Sequence, residues 1–257
     1  MEKDLLAWHQ EGFIPGPNES REDFKNRVEI TRQSFEKLSH QAIPQSHWDF
    51  SRVLLKNIFD FSPGCLPAFY SNHSLMPWQG AATWVENGRI SSVQLRESFR
   101  KGTFFGLICR EEILAHEAVH AARSAFLNDP WEEFFAYMTS DKAWRRILGP
   151  IVRRPWELWP FLFFCLLGPI FNVAFLGASL WAILGFWRLG RGHYILKKAS
   201  HNLQKLIQNP QHVRAILLRL TGDEIEGFAR GENMIALKEK DYSLRWQIIR
   251  LLYLYHL

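Results

Sequence analysis

His116 and His120 stand four residues apart, with Glu117 directly after the first, inside the run Arg110-Glu111-Glu112-Ile113-Leu114-Ala115 and Ala121-Ala122-Arg123. Two imidazoles and a carboxylate in the order H-E-x-x-H can share one divalent metal and move one proton. The spacing carries that meaning only on a helix. There, residues i and i+4 share a face, so both imidazoles can reach one ion at about 2.0–2.1 Å. Glu117 falls about 100° around the helix, aimed at water beside the metal rather than at the metal. Zinc lowers the pKa of such a water toward about 7, within reach of a carboxylate base. In a chain with 10 His, chance alone yields the pattern on the order of one time in a hundred, so a third ligand is the next thing to seek.

The segment that follows offers one. Phe126-Leu127-Asn128-Asp129-Pro130 reads as a turn, with Asp129 as the N-cap of a new helix and Pro130 at its first position. Glu132 then falls at the third helical position, where it completes a capping box with Asp129. Glu133 is left on another face of the Trp131–Ser140 helix, free to turn toward the histidines. Two His and one Glu with an open position for water form a catalytic rather than a closed zinc set.

His116-Glu117-Ala118-Val119-His120 followed by Glu133-Phe134-Phe135-Ala136-Tyr137 resembles the gluzincin metallopeptidases, whose helix after the motif supplies the glutamate ligand, often within Glu-x-x-Ala. The resemblance covers about an eighth of the chain. It implies zinc held by His116, His120 and Glu133, Glu117 as general base, and a Tyr or His assisting the oxyanion, for which Tyr137, His193 and Tyr194 are the available types. The integral-membrane gluzincins, such as the prenyl-protein and heat-shock membrane proteases, are similar in coupling the motif to membrane helices. Their ligand glutamate follows the membrane segments, and Glu224 and Glu226 hold that place here as alternatives to Glu133. In zincins a small sheet precedes the metal helix and its edge strand aligns extended substrate. Here Ala81–Val85 and Ile90–Leu95 read as two strands around an Asn87-Gly88 turn, directly upstream of the motif.

The elements that must position these residues are mostly helical. Leu5, Leu6, Trp8 and Phe13 mark an opening segment that stops at Ile14-Pro15-Gly16-Pro17. Ser20 and Asp23 open a second helix running to about Leu38, and a third apolar segment runs from Trp48 to Phe59. A length of 257 residues with 47% hydrophobic content supports a sizeable core. The net charge of +5 comes without any nucleic-acid motif, which excludes nucleic acid as the expected partner. Cys65, Cys109 and Cys165 encode neither a disulfide framework nor a thiolate zinc site, as expected of a reducing compartment. The start Met1-Glu2-Lys3-Asp4 lacks the basic and apolar regions of a cleaved signal.

Leu158 to Trp187 carries no formal charge and is rich in Phe, Leu and Trp. The run exceeds the roughly 20 residues needed to span a bilayer, and Gly168-Pro169 through Asn172 interrupts it. Arg153 and Arg154 before it and Arg188, Arg191, Lys197 and Lys198 after it place both ends on the cytoplasmic face, which predicts a helical hairpin in a lipid bilayer. Lys197–Leu220 then reads as an amphipathic helix with a break at Asn209-Pro210, Thr221–Glu224 as a turn or a helix start, and Leu244–Leu257 as a basic, aromatic tail that packs on the catalytic domain or lies on headgroups. The expectation is an α+β, mainly helical chain. It comprises a zincin-like catalytic domain with a small antiparallel hairpin before the H-E-x-x-H helix (1–150), a hydrophobic helical hairpin (151–195) and an amphipathic C-terminal region (196–257). Its expected function is that of a membrane-associated zinc metalloendopeptidase with its site facing the cytosol, acting on peptide or protein substrates. A membrane-anchored structural, interaction or metal-sensing protein without hydrolysis is the alternative.

Overall fold

Two prolines at Ile14-Pro15-Gly16-Pro17 remove backbone donors, and the chain leaves helix α1 (Glu2–Gln10) there before entering α2 (Arg21–Leu38). The computed structural model describes residues 2–38, 42–64, 66–86, 89–127, 129–237 and 241–254. Ser20 starts α2: its Oγ accepts the Asp23 N–H at 3.1 Å and donates to the Asp23 carboxylate at 2.6 Å. Leu5, Phe13, Phe24 and Val28 close a small core with Leu244 and Ile248 from the far end of the chain. Helix α3 (Asp49–Phe59) ends on Asp60, whose left-handed backbone turns its N–H back to the Lys56 carbonyl.

The sheet joins β1 (Ala68–Tyr70), β2 (Ala81–Glu86) and β3 (Arg89–Leu95) in the order β1-β3-β2. The antiparallel pair expected from alternation is present, with Thr83 opposite Val93, while the Asn87-Gly88 turn lies outside the described residues, as does Cys65. The third strand, β1, pairs parallel to β3 and carries no alternation by which three residues could be recognised. This leaves β2 as an edge. A short ladder of β4 (Thr103–Phe104) and β5 (Ile108–Cys109) leads straight into α4 (Arg110–Ala122). Helix α4 is the axis of the molecule. Every residue from Glu112 to Ala122 except His120 is buried, and Ala115, Ala118, Ala121 and Ala122 let its neighbours approach closely. Helices α5 (Glu132–Tyr137) and α6 (Ala143–Leu148) follow.

The apolar run forms α7 (Leu158–Leu167) and the first half of α8 (Ala174–Gln204), broken near Gly168-Pro169 as expected. The two run back along each other, with Gly168 against Phe175, Gly177 against Phe164, and the Trp181 indole donating to the Glu157 carbonyl at 3.1 Å. The expected transmembrane hairpin does not follow. Among the described residues no helix is long and apolar enough to cross a membrane. The ten residues of α7 rise only about 15 Å, half of a hydrocarbon core, and the apolar part of α8 ends at Arg188, which folds back onto Glu157 at 2.6 Å. The membrane location with a cytoplasm-facing site rested on that span and falls with it. Much of the surface of these two helices is nonetheless apolar, with Leu166 76% and Ile170 72% exposed. The second half of α8 is different: Leu189, Gly192, Leu196, Ala199 and Leu203 recur every three or four residues and are buried.

Asn209 caps α9 (Pro210–Arg219) by accepting the Gln211 N–H at 2.9 Å, which is the break expected at Asn209-Pro210. Thr221 and Glu224 form a reciprocal capping box at the start of α10 (Gly222–Arg230). Helix α11 (Met234–Leu237) precedes α12 (Leu244–Ile249), and a π turn runs to Leu254. Trp246, Ile249 and Tyr253 join the main core together with Leu55, Leu114 and Phe135, so the tail packs on the body of the protein. That one core takes residues from both 1–150 and 196–257.

The tail of α9 also ties down α1. The fully buried Arg219 donates from Nε to His9 Nε2 at 2.6 Å and from Nη1 to the Phe59 carbonyl at 3.1 Å. His9 must therefore be neutral, and burial, reinforced by Arg219 and Lys56, holds its pKa well below 6.5. Its unfolded-state pKa is higher, so this contact contributes fully above about pH 6.5 and weakens as the pH falls below it. His9→Gln keeps an acceptor for Arg219 without a titrating group, and its melting temperature is expected to fall less than that of wild type on acidification from neutral pH.

Candidate metal centre

On α4 the two imidazoles do share a face. His116 Nε2 and His120 Nε2 lie 3.2 Å apart, and Glu133 presents Oε2 to the first at 3.6 Å and Oε1 to the second at 3.5 Å. Among the described residues this is the group of His, Cys, Asp and Glu side chains whose ligand atoms converge, all within 4.8 Å of one another. Three ligands at zinc distances on a tetrahedron sit about 3.4 Å apart; the two imidazole nitrogens meet that spacing, and Glu133 offers each of them one of its two oxygens. Glu224 and Glu226 are elsewhere. Glu224 is taken by its capping box, Arg245 at 2.7 and 2.9 Å and the Trp246 indole at 2.7 Å, while Glu226 lies 4.0 Å from Arg230.

Helix α5 is brought to α4 by Arg123. Its buried guanidinium, at the end of α4, bonds the Asp129 carboxylate and the carbonyls of Leu218 and Leu220. Asp129 Oδ1 in turn accepts the Trp131 N–H at 2.8 Å, fixing the start of α5. The role expected of Glu132 is not observed. Instead of completing a capping box, its Oε1 accepts a hydrogen bond from the Nδ1–H of His120 at 2.8 Å. His120 thus has one nitrogen held by a carboxylate and the other turned to the common point, the arrangement that orients metal-binding histidines.

Charge explains what such a point lacks. Glu117, Glu132 and Glu133 surround two imidazoles, with His116 and Glu117 buried and the other three partly exposed. Burial opposes a charge on His120, but Glu133 and Glu132 overcome it and raise its pKa to about 10. Glu133 is pushed up to about 7, chiefly by burial, with His120 opposing. Burial also raises Glu117, against His120 and Thr83. His116 goes the other way, lowered by burial, His120 and Arg145. A divalent cation would supply the positive charge that the site otherwise draws from protons.

Thr83 was not legible as a site residue. Its hydroxyl donates to Glu117 Oε2 at 2.7 Å from edge strand β2, leaving the other carboxylate oxygen uncommitted. The alternation placed Thr83 in a strand, but no local pattern linked it to a residue 34 positions away. Of the three expected oxyanion groups, Tyr137 is at the site, its ring edge-on to His116 with centroids 4.6 Å apart. Burial and Glu133 push its hydroxyl up to about 12, so it stays a donor, while Arg145 holds it. Arg145 also pairs with the buried Glu112 at 2.5 Å, bracing α4 against α6. His193 packs on Phe134 and bonds the Ile147 carbonyl, and Tyr194 is exposed.

In comparison with known proteins, no family model, no curated protein and no solved structure matches the chain.

Metal must displace the proton on His120, so affinity is expected to rise with pH, and binding near neutrality should release protons, read by calorimetry in buffers of different ionisation heat. Glu132→Ala, which frees the His120 ring, is expected to weaken zinc binding by about 10–100-fold while leaving the three converging side chains in place.

Proposed function

We propose that this chain is a zinc-dependent metallopeptidase of gluzincin type, with His116, His120 and Glu133 as ligands and Glu117 as general base. The observation that carries the reading is the convergence of these three side chains beside a carboxylate braced from a sheet edge by Thr83. When bound, zinc supplies a Lewis acid that acidifies water and polarises a carbonyl. The residues of the chain do the rest. Glu117, with Oε2 held by Thr83, takes a proton on its other oxygen and returns it to the leaving amine. Tyr137 offers a neutral hydroxyl beside His116 for negative charge developing on the carbonyl oxygen. The free edge of β2, which runs past Glu117 at Thr83, offers backbone groups to an extended peptide.

Glu117→Gln is expected to keep zinc and lose peptide hydrolysis by at least about 10²–10⁴-fold, whereas His116→Ala should lose both. Full activity in Glu117→Gln would sink the proposal. Stoichiometric zinc in wild type without turnover on a broad peptide library would instead favour a metal-binding protein that does not hydrolyse.

A further inference from the structure

Next to the metal centre lies a cavity of about 320 Å³. Asp129, Glu132 and Glu133 line it from α5 and the turn before it, and Arg153, Arg154, Glu157 and Arg188 from the segment before α7 and from α8, Arg154 having a partner of its own. Almost every charge in this wall is answered. Asp129 is held by Arg123, Glu132 by His120, and Glu157 by Arg188 at 2.6 and 3.1 Å, while Glu133 faces the two imidazoles.

Arg153 is the exception. Its guanidinium lies over the Phe134 ring at 5.4 Å, its Nε is buried without a hydrogen-bond partner, and among the described residues no carboxylate pairs with it. It is half-buried, and burial together with the neighbouring charge of Arg188 works against its own charge and outweighs the support of Glu157 and Asp129. Its backbone is fixed, because its N–H donates to Glu157 Oε2 at 3.1 Å. A planar fork of donors, partly desolvated and anchored, one residue along α5 from the position of Glu133, is a receptor for a carboxylate. We propose that Arg153 binds a carboxylate of the peptide substrate, from an aspartate or glutamate side chain or from a C-terminal α-carboxylate, and so selects acidic peptides. The inference rests on the metallopeptidase reading for its substrate and on the cavity for its chemistry.

Two kinds of measurement keep these apart. The first is the affinity of zinc-loaded Glu117→Gln protein for matched peptides, Glu against Gln within the sequence and free acid against amide at the end. The second is kcat/KM of wild type on the same peptides. One of the two carboxylate sources is expected to improve binding about tenfold over its amide, the worth of a charge-assisted hydrogen bond. The Glu/Gln pair and the acid/amide pair identify which source it is. The ratio is expected to collapse toward one in Arg153→Gln and to return in part in Arg153→Lys. Equal affinity for both members of both pairs overturns the inference even if Arg153→Gln fails to fold, and so does a ratio unchanged by Arg153→Gln. Carboxylate-dependent binding without cleavage would reject the peptidase and keep the Arg153 site. Cleavage indifferent to carboxylates would do the reverse.

Discussion

Arg123 holds the site together. It is fully buried, sandwiched near the rings of Phe126 and Phe135, and its two terminal nitrogens go to one carboxylate and two carbonyls from two separate stretches of chain, while its Nε has no partner. A buried guanidinium depends on such partners, and removing the carboxylate costs about 3–5 kcal/mol. That requirement fixes the turn after α4, the start of α5 and the end of α9 relative to one another. The positions of Glu132 and Glu133 follow from it, since α5 is too short to be held by its own backbone bonds.

With α5 fixed, two adjacent glutamates do different work because neighbouring helical positions face about 100° apart. Glu133 turns to the Nε2 atoms and Glu132 to the Nδ1 of His120. The same pair explains the protonation of the site. Three carboxylates around two imidazoles favour positive charge in the space between them, which is why Glu133 and Glu132 raise the pKa of His120 against its burial.

The sequence carried those parts of this arrangement that depend on local spacing. The helical pitch alone put His116 and His120 on one face, capping chemistry located the start of α2, and the break at Asn209-Pro210 is where α9 begins. It also separated Glu132 from Glu133, although the partner of Glu132 is an imidazole rather than the helix N-terminus. What could not be read are the contacts that join distant segments. Thr83 with Glu117, Arg123 with Leu218 and Arg219 with His9 leave no trace in periodicity, because each depends on how whole elements dock. The apolar run was misread for a related reason. Hydropathy counts residues without knowing that the chain reverses after ten of them or that Arg188 returns to Glu157.

Helix α8 has a mechanical consequence. Its buried stripe around Leu196 anchors one end in the core, while its other end, at Ala174, lies about 33 Å away at 1.5 Å per residue. Gly192 touches Phe134 so closely that a Cβ there would sit 2.3 Å from the ring, and it lies only about 6 Å from Leu196 along the axis. Leu189 before that contact and Leu196 after it both belong to the core, so the helix bears on Phe134 between two fixed points. A displacement of the outer turns meets the Arg188 to Glu157 pair and Leu189 before it reaches the side chain next to Glu133.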